Sequence, residues 1–322
     1  MKRSSQNTVT TRPKVRRNNS KKVDIMQYRL LKTMSKLVCL LPYGALAPIG
    51  KGLGTLYYHI VKKQRNLSIA HMRRGMGYSE EEAEKMTMKL CHHMGQSFLE
   101  MMWMPRLNKD NISKYVEMDH PEYVADALKD GHGVVVLTAH IGNWEWMAAR
   151  LAMEGFPVTT VVKRQPNDQH TKILNEYREM VGVEVFSRGT TELVAAAKAL
   201  KKGKILGFLA DQDAGKSGAF IEFLGEMAST PLGPAVFAKR FRSPVIPIFI
   251  VRKPQGGHQM LIQPPVQLQA TGDEERDLYE NTKRMTKIIE DVIRAYPQNW
   301  LWFQRRWNTP IEKADEKALK AQ

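Results

Sequence analysis

Between residues 130 and 251 the chain alternates between two hydrophobic periods. Short apolar, β-branched runs recur at Val134–Leu137, Val158–Val162, Val183–Phe186, Ile205–Leu209 and Val245–Val251. Between them lie stretches with apolar residues three and four apart: Glu145–Met153, Thr171–Met180, Thr191–Leu200 and Pro234–Arg240. Continuous apolar strands separated by helices predict an α/β fold, with a mixed, mostly parallel central sheet flanked by helices. His258–Gln263 adds a candidate edge strand, stopped by Pro264-Pro265. A last amphipathic helix carries Leu278, Met285, Ile288, Ile289, Val292 and Ile293 and ends at Pro297. Upstream, Ser79-Glu80-Glu81-Glu82 forms a capping box and opens a helix running towards Pro105.

The N-terminal quarter has a different pattern. Residues 1–22 are polar, hold eight Lys or Arg and no acid, and have no apolar period, so a disordered basic leader is expected there. Residues 23–75 are apolar but broken. Their longest charge-free run, Leu37 to Gly50, spans 14 residues and contains Pro42, Gly44 and Pro48. A spanning helix needs about 20 apolar residues, so this segment is expected to lie in a membrane interface as N-terminal membrane-associating helices. A helical hairpin packed on its own domain is the alternative. Residues 76–310 are expected to form the α/β domain and residues 311–322 a flexible charged tail.

Charge sharpens this division. The 322-residue chain carries a net charge of +16, and residues 1–74 hold 17 Lys and Arg against the single acid Asp24. The whole excess therefore lies in the N-terminal quarter, next to its apolar segment. That points to an anionic partner, either membrane lipid or nucleic acid. Aromatic residues are not interleaved with the basic leader and the body is neutral, which argues against nucleic acid. Two cysteines, Cys39 and Cys91, supply neither a disulfide framework nor metal-ligand spacing. His92 and His93 lack a third ligand. No metal or other cofactor is expected.

Candidate chemistry sits where the first run ends, at Thr138-Ala139-His140-Ile141-Gly142-Asn143-Trp144-Glu145. The crevice beyond the carboxyl end of a strand is where α/β proteins bind ligands. A histidine with a carboxylate nearby suggests general-base catalysis, the acid fixing the tautomer. On an ideal helix a separation of five places residues about 140° apart, so His140 must lie in the turn before the helix if the two are to meet. No zinc-type histidine pair flanks Glu145 and no Gly-x-Ser-x-Gly elbow is present. A base without an enzymic nucleophile leaves that role to a substrate hydroxyl.

Four ordered stretches together resemble the lipid A biosynthesis acyltransferases, the lauroyl and myristoyl transferases of the lysophospholipid acyltransferase superfamily. They are the His140 block just quoted; Val162-Lys163-Arg164-Gln165-Pro166-Asn167-Asp168; Leu209-Ala210-Asp211-Gln212-Asp213-Ala214-Gly215 with the Phe220, Phe223-Leu224-Gly225, Thr230-Pro231 and Pro244–Pro247 positions that follow; and Tyr296-Pro297-Gln298-Asn299-Trp300-Leu301-Trp302-Phe303-Gln304-Arg305-Arg306-Trp307. The resemblance covers about Leu30 to Asn308. It departs at Gln304, where many relatives have histidine, at Lys163, which replaces an aromatic, and at Gln165, inserted before the proline.

The resemblance implies an O-acyltransferase that takes a fatty acyl chain from acyl carrier protein and places it on a hydroxyl of a lipid A precursor. In that reading His140 is the base, Glu145 orients it, and Arg164 stabilises the oxyanion. Asn143, Asp211, Asp213, Arg305 and Arg306 are candidates for substrate binding, the last two through lipid phosphates. The expected location is the cytoplasmic face of the inner membrane, held there by anionic lipids. The competing readings are the same chemistry on a lysophospholipid or another glycolipid, a nucleic-acid-binding protein, and a catalytically inactive membrane adaptor.

Overall fold

The computed structural model describes residues 15–163, 169–188 and 190–314. Ten α-helices and nine strands occur among them. The first four helices are α1 (Val15–Val38), α2 (Tyr43–Ile60), α3 (Lys62–Met76) and α4 (Glu80–Trp103). The strands and remaining helices follow in the order β1 (Val116–Met118), α5 (Pro121–Lys129), β2 (Val134–Thr138), α6 (Trp144–Met153), β3 (Val158–Lys163), α7 (Gln169–Met180), β4 (Glu184–Arg188), α8 (Thr190–Lys201), β5 (Ile205–Leu209), β6 (Ala219–Phe223), β7 (Glu226–Thr230), α9 (Gly233–Phe241), β8 (Val245–Arg252), β9 (His258–Ile262) and α10 (Glu274–Ala295).

Seven strands make one sheet in the order β1-β9-β8-β2-β5-β3-β4, and β6 and β7 form a separate antiparallel pair. Every pairing in the large sheet is parallel except β8 with β9. The mixed, mostly parallel α/β fold expected from the alternation is therefore present. The run at His258 is not an edge strand, however. It sits one place in, covered by β1, whose three residues are too few to produce a readable period.

Strand β2 explains the continuous apolar run. Val134 and Val136 pack with Trp146, Met147 and Ala149 on one side of the sheet. Val135 and Leu137 pack with Ala196, Leu200, Met285 and Ile289 on the other. Both faces are buried, so neither can be polar.

The expected capping box is formed. Ser79 Oγ accepts from the Glu82 amide, and the Ser79 amide donates to Glu82 Oε2 at 2.9 Å. The helix it starts, α4, is the platform for the N-terminal helices. Gly54 of α2 meets α4 so closely that a Cβ there would lie 2.2 Å from the Cys91 carbonyl oxygen. Leu31 of α1 and Leu46 of α2 join the main core, and Trp103 Nε1 donates to the Leu41 carbonyl at 3.1 Å. Helix α1 begins at Val15, inside the stretch expected to lack structure.

The outer face of α2 is unpartnered. Ile49, Leu53, Leu56 and Ile60 recur at spacings of four, three and four, and all are exposed. Leu37 and Leu40, at the end of α1 and just beyond it, are exposed as well, Leu40 at 78%. No described helix is long and apolar enough to cross a membrane.

Candidate active site

Two neighbouring parallel strands carry the site. Thr138 at the end of β2 stands opposite Leu209 at the end of β5. The residues two positions beyond each, His140 and Asp211, therefore emerge side by side above the carboxyl edge of the sheet. His140 lies in the turn before α6, and Asn143 is the N-cap of that helix. The turn depends on glycine. Gly142 has φ +60°, and a Cβ there would lie 2.1 Å from the Ile250 carbonyl oxygen. Its amide donates to the Asn299 carbonyl at 2.8 Å, and the Leu301 amide donates to the His140 carbonyl at 3.2 Å. The closing segment of the chain thus clamps the His140 turn.

His140 Nδ1 donates to Asp211 Oδ1 at 2.8 Å. The second carboxylate oxygen, Oδ2, accepts three N–H groups: the His140 amide at 3.0 Å, Trp300 Nε1 at 2.7 Å and Gln304 Nε2 at 2.9 Å. Asp211 is fully enclosed and the His140 side chain is 16% exposed. Burial would raise the pKa of the Asp211 carboxyl, but the imidazole and these donors hold it well below the usual carboxylate range. Burial pushes the His140 imidazole down. The Asp211 charge and hydrogen bond outweigh this, Glu145 adds to them, and the net shift is upward. With Nδ1–H committed to the carboxylate, the Nε2 lone pair faces outward. The Gln212 amide stands 3.5 Å from it.

Glu145 is placed differently from expectation. Its Oε2 accepts from Arg178 Nε at 2.7 Å and its Oε1 from Arg178 Nη2 at 2.5 Å, with Trp144 Nε1 at 3.1 Å from Oε1. It lies in the first turn of α6 with its side chain turned towards α7, so Asp211, not Glu145, fixes the imidazole. Glu145 acts on His140 through its charge.

Two apolar cavities meet at this turn and share Trp144 and Glu145. One, of about 570 Å³, runs between the sheet and α6, lined by Val136, Ala148, Leu151, Val158, Ile205 and Leu209 among others. The other, of about 680 Å³, lies between α4 and the closing segment, lined by Leu90, His93, Met94, Phe98, Leu301 and Phe303 among others. A histidine–aspartate pair whose imidazole packs against Trp144, a residue that lines both apolar cavities, suits base catalysis on lipid substrates. The sequence matches the family model described as bacterial lipid A biosynthesis acyltransferase over residues 16–309.

The chain belongs to that acyltransferase family. It is similar to a lipid A biosynthesis lauroyltransferase of Escherichia coli (strain K12), at 27% identity over 86% of this chain and 89% of the relative. A lipid A biosynthesis palmitoleoyltransferase of the same strain matches at 24% over 84% and 87%. A phosphatidylinositol mannoside acyltransferase of Mycolicibacterium smegmatis matches at 24% over 63% and 66%.

The remaining candidates of this acyltransferase fall into three groups. Arg164 lies outside the described residues. Asn143, Asp213 and Arg306 are already engaged within the protein. Asn143 Oδ1 accepts from the Trp146 amide and its Nδ2 donates to Glu100 Oε2 at 2.9 Å, so the buried side chain shapes the turn. Asp213 is bonded by the Thr309 amide and hydroxyl and by the Gly215 amide, which makes it a loop anchor. Arg306 is buried, donates to the Ser229 carbonyl and to Thr230 Oγ1, and cannot reach a lipid phosphate. Burial pushes its pKa down to about 10. Among the described candidates, Arg305 alone is exposed.

Sequence reasoning missed four supports. Trp300 and Gln304 were quoted as part of the closing stretch, yet nothing in their spacing pointed to Asp211. Arg178 looked like one more polar position on its helix. Glu100 was also missed. It is a buried carboxylate on α4 that holds Arg252 at 2.7 and 2.8 Å, His258 Nε2 at 3.1 Å and Asn143, and so ties α4 and the sheet to the His140 turn. A glutamate in an otherwise apolar part of α4 was the available signal.

Proposed function

We propose that this acyltransferase moves a fatty acyl chain from the thioester of acyl carrier protein to a hydroxyl of a lipid A precursor. The observation that carries the reading is the His140–Asp211 pair, with the His140 ring packed edge-on against Trp144, which lines both apolar cavities. Nε2 takes the proton of the acceptor hydroxyl while that oxygen attacks the thioester carbonyl. Asp211 stabilises the imidazolium that results. The tetrahedral intermediate collapses, the carbon–sulfur bond breaks, and the departing thiolate recovers the proton from His140. Arg164 is assigned to the oxyanion, where one donor is worth about 3 kcal/mol. Arg305, exposed in the closing segment, is assigned to a phosphate of the acceptor.

The exposed leucine and isoleucine face of α2, with Lys36, Lys51, Lys62 and Lys63 nearby, supports peripheral attachment to an anionic membrane at the cytoplasmic face. Each basic residue near such a surface contributes about 1 kcal/mol.

A second reading keeps the chemistry and changes the acceptor. The similarity to phosphatidylinositol mannoside acyltransferases supports another glycolipid in that role. The test is transfer of labelled acyl chain from acyl carrier protein by purified protein, offered a hydroxyacylated lipid A precursor, a lysophospholipid or a mannosylated phosphatidylinositol in parallel. Transfer to the first alone supports the proposal. Transfer to either of the others alone replaces it with the second reading. His140→Ala must abolish transfer in all three; turnover near normal in that variant refutes the dyad.

A further inference from the structure

The loop after β5 pins two carboxylates and leaves the side chain between them free. Asp211 is enclosed, with His140, Trp300 and Gln304 as its partners. Asp213 accepts from the Thr309 amide at 3.2 Å, the Thr309 hydroxyl at 2.8 Å and the Gly215 amide at 3.2 Å. The backbone of Gln212 is therefore held on both sides. Its side chain is exposed, and its one polar contact among the described residues is His140 Nε2 at 3.5 Å.

The tautomer of His140 decides which end of that amide faces the ring. Nδ1–H is committed to Asp211, so Nε2 carries a lone pair. The carbonyl end of the Gln212 amide would repel the lone pair, whereas the NH2 end presents hydrogens to it. A donor therefore stands beside the nitrogen that takes the acceptor's proton, at a separation too long for a strong hydrogen bond between the two.

The same separation suits a substrate shared by both groups. A hydroxyl oxygen giving up its proton lies about 2.6–3.2 Å from the base, and an oxyanion lies about 2.7–3.1 Å from its donors. Either reach exceeds half of the 3.5 Å between the two nitrogens. A reacting carbon can therefore offer its attacking oxygen to His140 and its carbonyl oxygen to Gln212 at once. One loop then sets the tautomer of the base through Asp211 and the position of the donor through Gln212.

We propose that Gln212 is a catalytic residue whose amide N–H donates to the thioester carbonyl oxygen as it becomes an oxyanion. It is a donor to that oxygen in addition to Arg164. The proton still passes from the acceptor hydroxyl to His140 and on to the departing thiolate; Gln212 contributes a hydrogen bond and exchanges no proton. That bond is stronger to the charged oxygen than to the ground-state carbonyl, so its loss falls on kcat and not on KM. The assignment rests on the reading of the protein as an acyltransferase that takes its chain from a thioester.

The test is steady-state kinetics of the full-length enzyme with lauroyl-acyl carrier protein. A hydroxyacylated lipid A precursor, a lysophospholipid and a mannosylated phosphatidylinositol are offered in parallel, and the constants are read on whichever acceptor the wild type uses. Gln212 is exposed, so Gln212→Ala is expected to keep the wild-type Tm. Its kcat is expected to fall by about tenfold to a hundredfold, at the low end for an oxyanion donor because the side chain is open to water. Both KM values are expected to stay within about twofold of wild type. Gln212→Glu keeps the shape and replaces the donor by a charge. It is expected to lose at least as much kcat and to move the pH limb of kcat/KM to higher pH, because a carboxylate beside the imidazole favours its charged form. Asp211 and Glu145 already act on the ring in that direction. A residue that only propped the loop would move neither the split between kcat and KM nor the limb. Gln212→Ala with kcat within about threefold of wild type, a loss confined to KM, or a limb unmoved in Gln212→Glu overturns the assignment while leaving the acyltransferase reading intact. A wild type that transfers to none of the three acceptors overturns that reading, and the assignment with it.

Discussion

Replacing Asp211 by asparagine probes the tautomer of His140 with little change of shape. In the native site Oδ2 accepts three N–H groups, from His140, Trp300 and Gln304, while Oδ1 accepts only His140 Nδ1–H. In Asp211→Asn the amide oxygen must remain at the Oδ2 position, since an NH2 there would face three donors. The amide NH2 then points at His140 Nδ1, which must present its lone pair, and the imidazole proton moves to Nε2. The base is lost with its ring still in place. General-base catalysis is worth about 10² to 10⁴ in rate, and a base locked in the wrong tautomer loses about 10⁴. At about 1.4 kcal/mol per decade, two to four decades correspond to a loss of about 3–5.5 kcal/mol of transition-state stabilisation. The assay is single-turnover acyl transfer at saturating donor, paired with ¹⁵N NMR of the His140 ring, which reports the proton at Nε2. A variant with kcat within about threefold of wild type, below the smallest loss expected for a general base, or with its ring proton still at Nδ1, refutes the reasoning. Asp211→Ala would test less cleanly, because it leaves Trp300 Nε1 and Gln304 Nε2 as enclosed donors without an acceptor.

Four further outcomes are expected. His140 must be neutral to accept a proton, and the Asp211 carboxylate raises its pKa above that of a free imidazole. The kcat/KM of the wild type should therefore rise with pH along a single limb whose midpoint lies above that of a free imidazole, and activity should be lost as pH falls through it; a midpoint lower than a free imidazole's contradicts the Asp211 coupling. Arg178→Met leaves Glu145 buried with its charge unpaired, which costs about 3–5 kcal/mol; urea denaturation should show this loss and its partial recovery in Glu145→Gln with Arg178→Met. Gly142→Ala forces a Cβ against the Ile250 carbonyl at a positive φ, costing about 3 kcal/mol from strain and overpacking together, and an unchanged Tm would show that the turn tolerates a side chain. Leu53→Glu with Leu56→Glu should weaken sedimentation with anionic liposomes without lowering turnover on detergent-dispersed substrate, whereas full sedimentation would remove α2 from the membrane account.

The sheet was legible because its strands are buried on both faces. The continuous runs at Val134, Ile205 and Val245 have no other explanation at that length, and the helices between them carry their own period. What the pattern did not contain was strand order. β5 lies beside β2 although β3 and β4 come between them along the chain, and only that neighbourhood brings Asp211 to His140. Local spacing favoured Glu145, which is near in sequence but turned towards α7. The β6–β7 pair escaped notice because its strands are short and joined by the tight Leu224-Gly225 turn. Arg306 looked like an exposed cation in a basic doublet, and its burial follows from contacts with β7 that lie far away in sequence.

The central claim is that His140, held by Asp211, adds one acyl chain to a lipid hydroxyl. Mass spectrometry of lipid A tests it most directly, in cells lacking this protein and complemented with wild type, Asp211→Asn or His140→Ala. The account predicts that the deletion lowers the lipid A mass by one acyl chain, that wild type restores it, and that His140→Ala does not. A lipid A of unchanged mass in the deletion, or full restoration by His140→Ala, would contradict it.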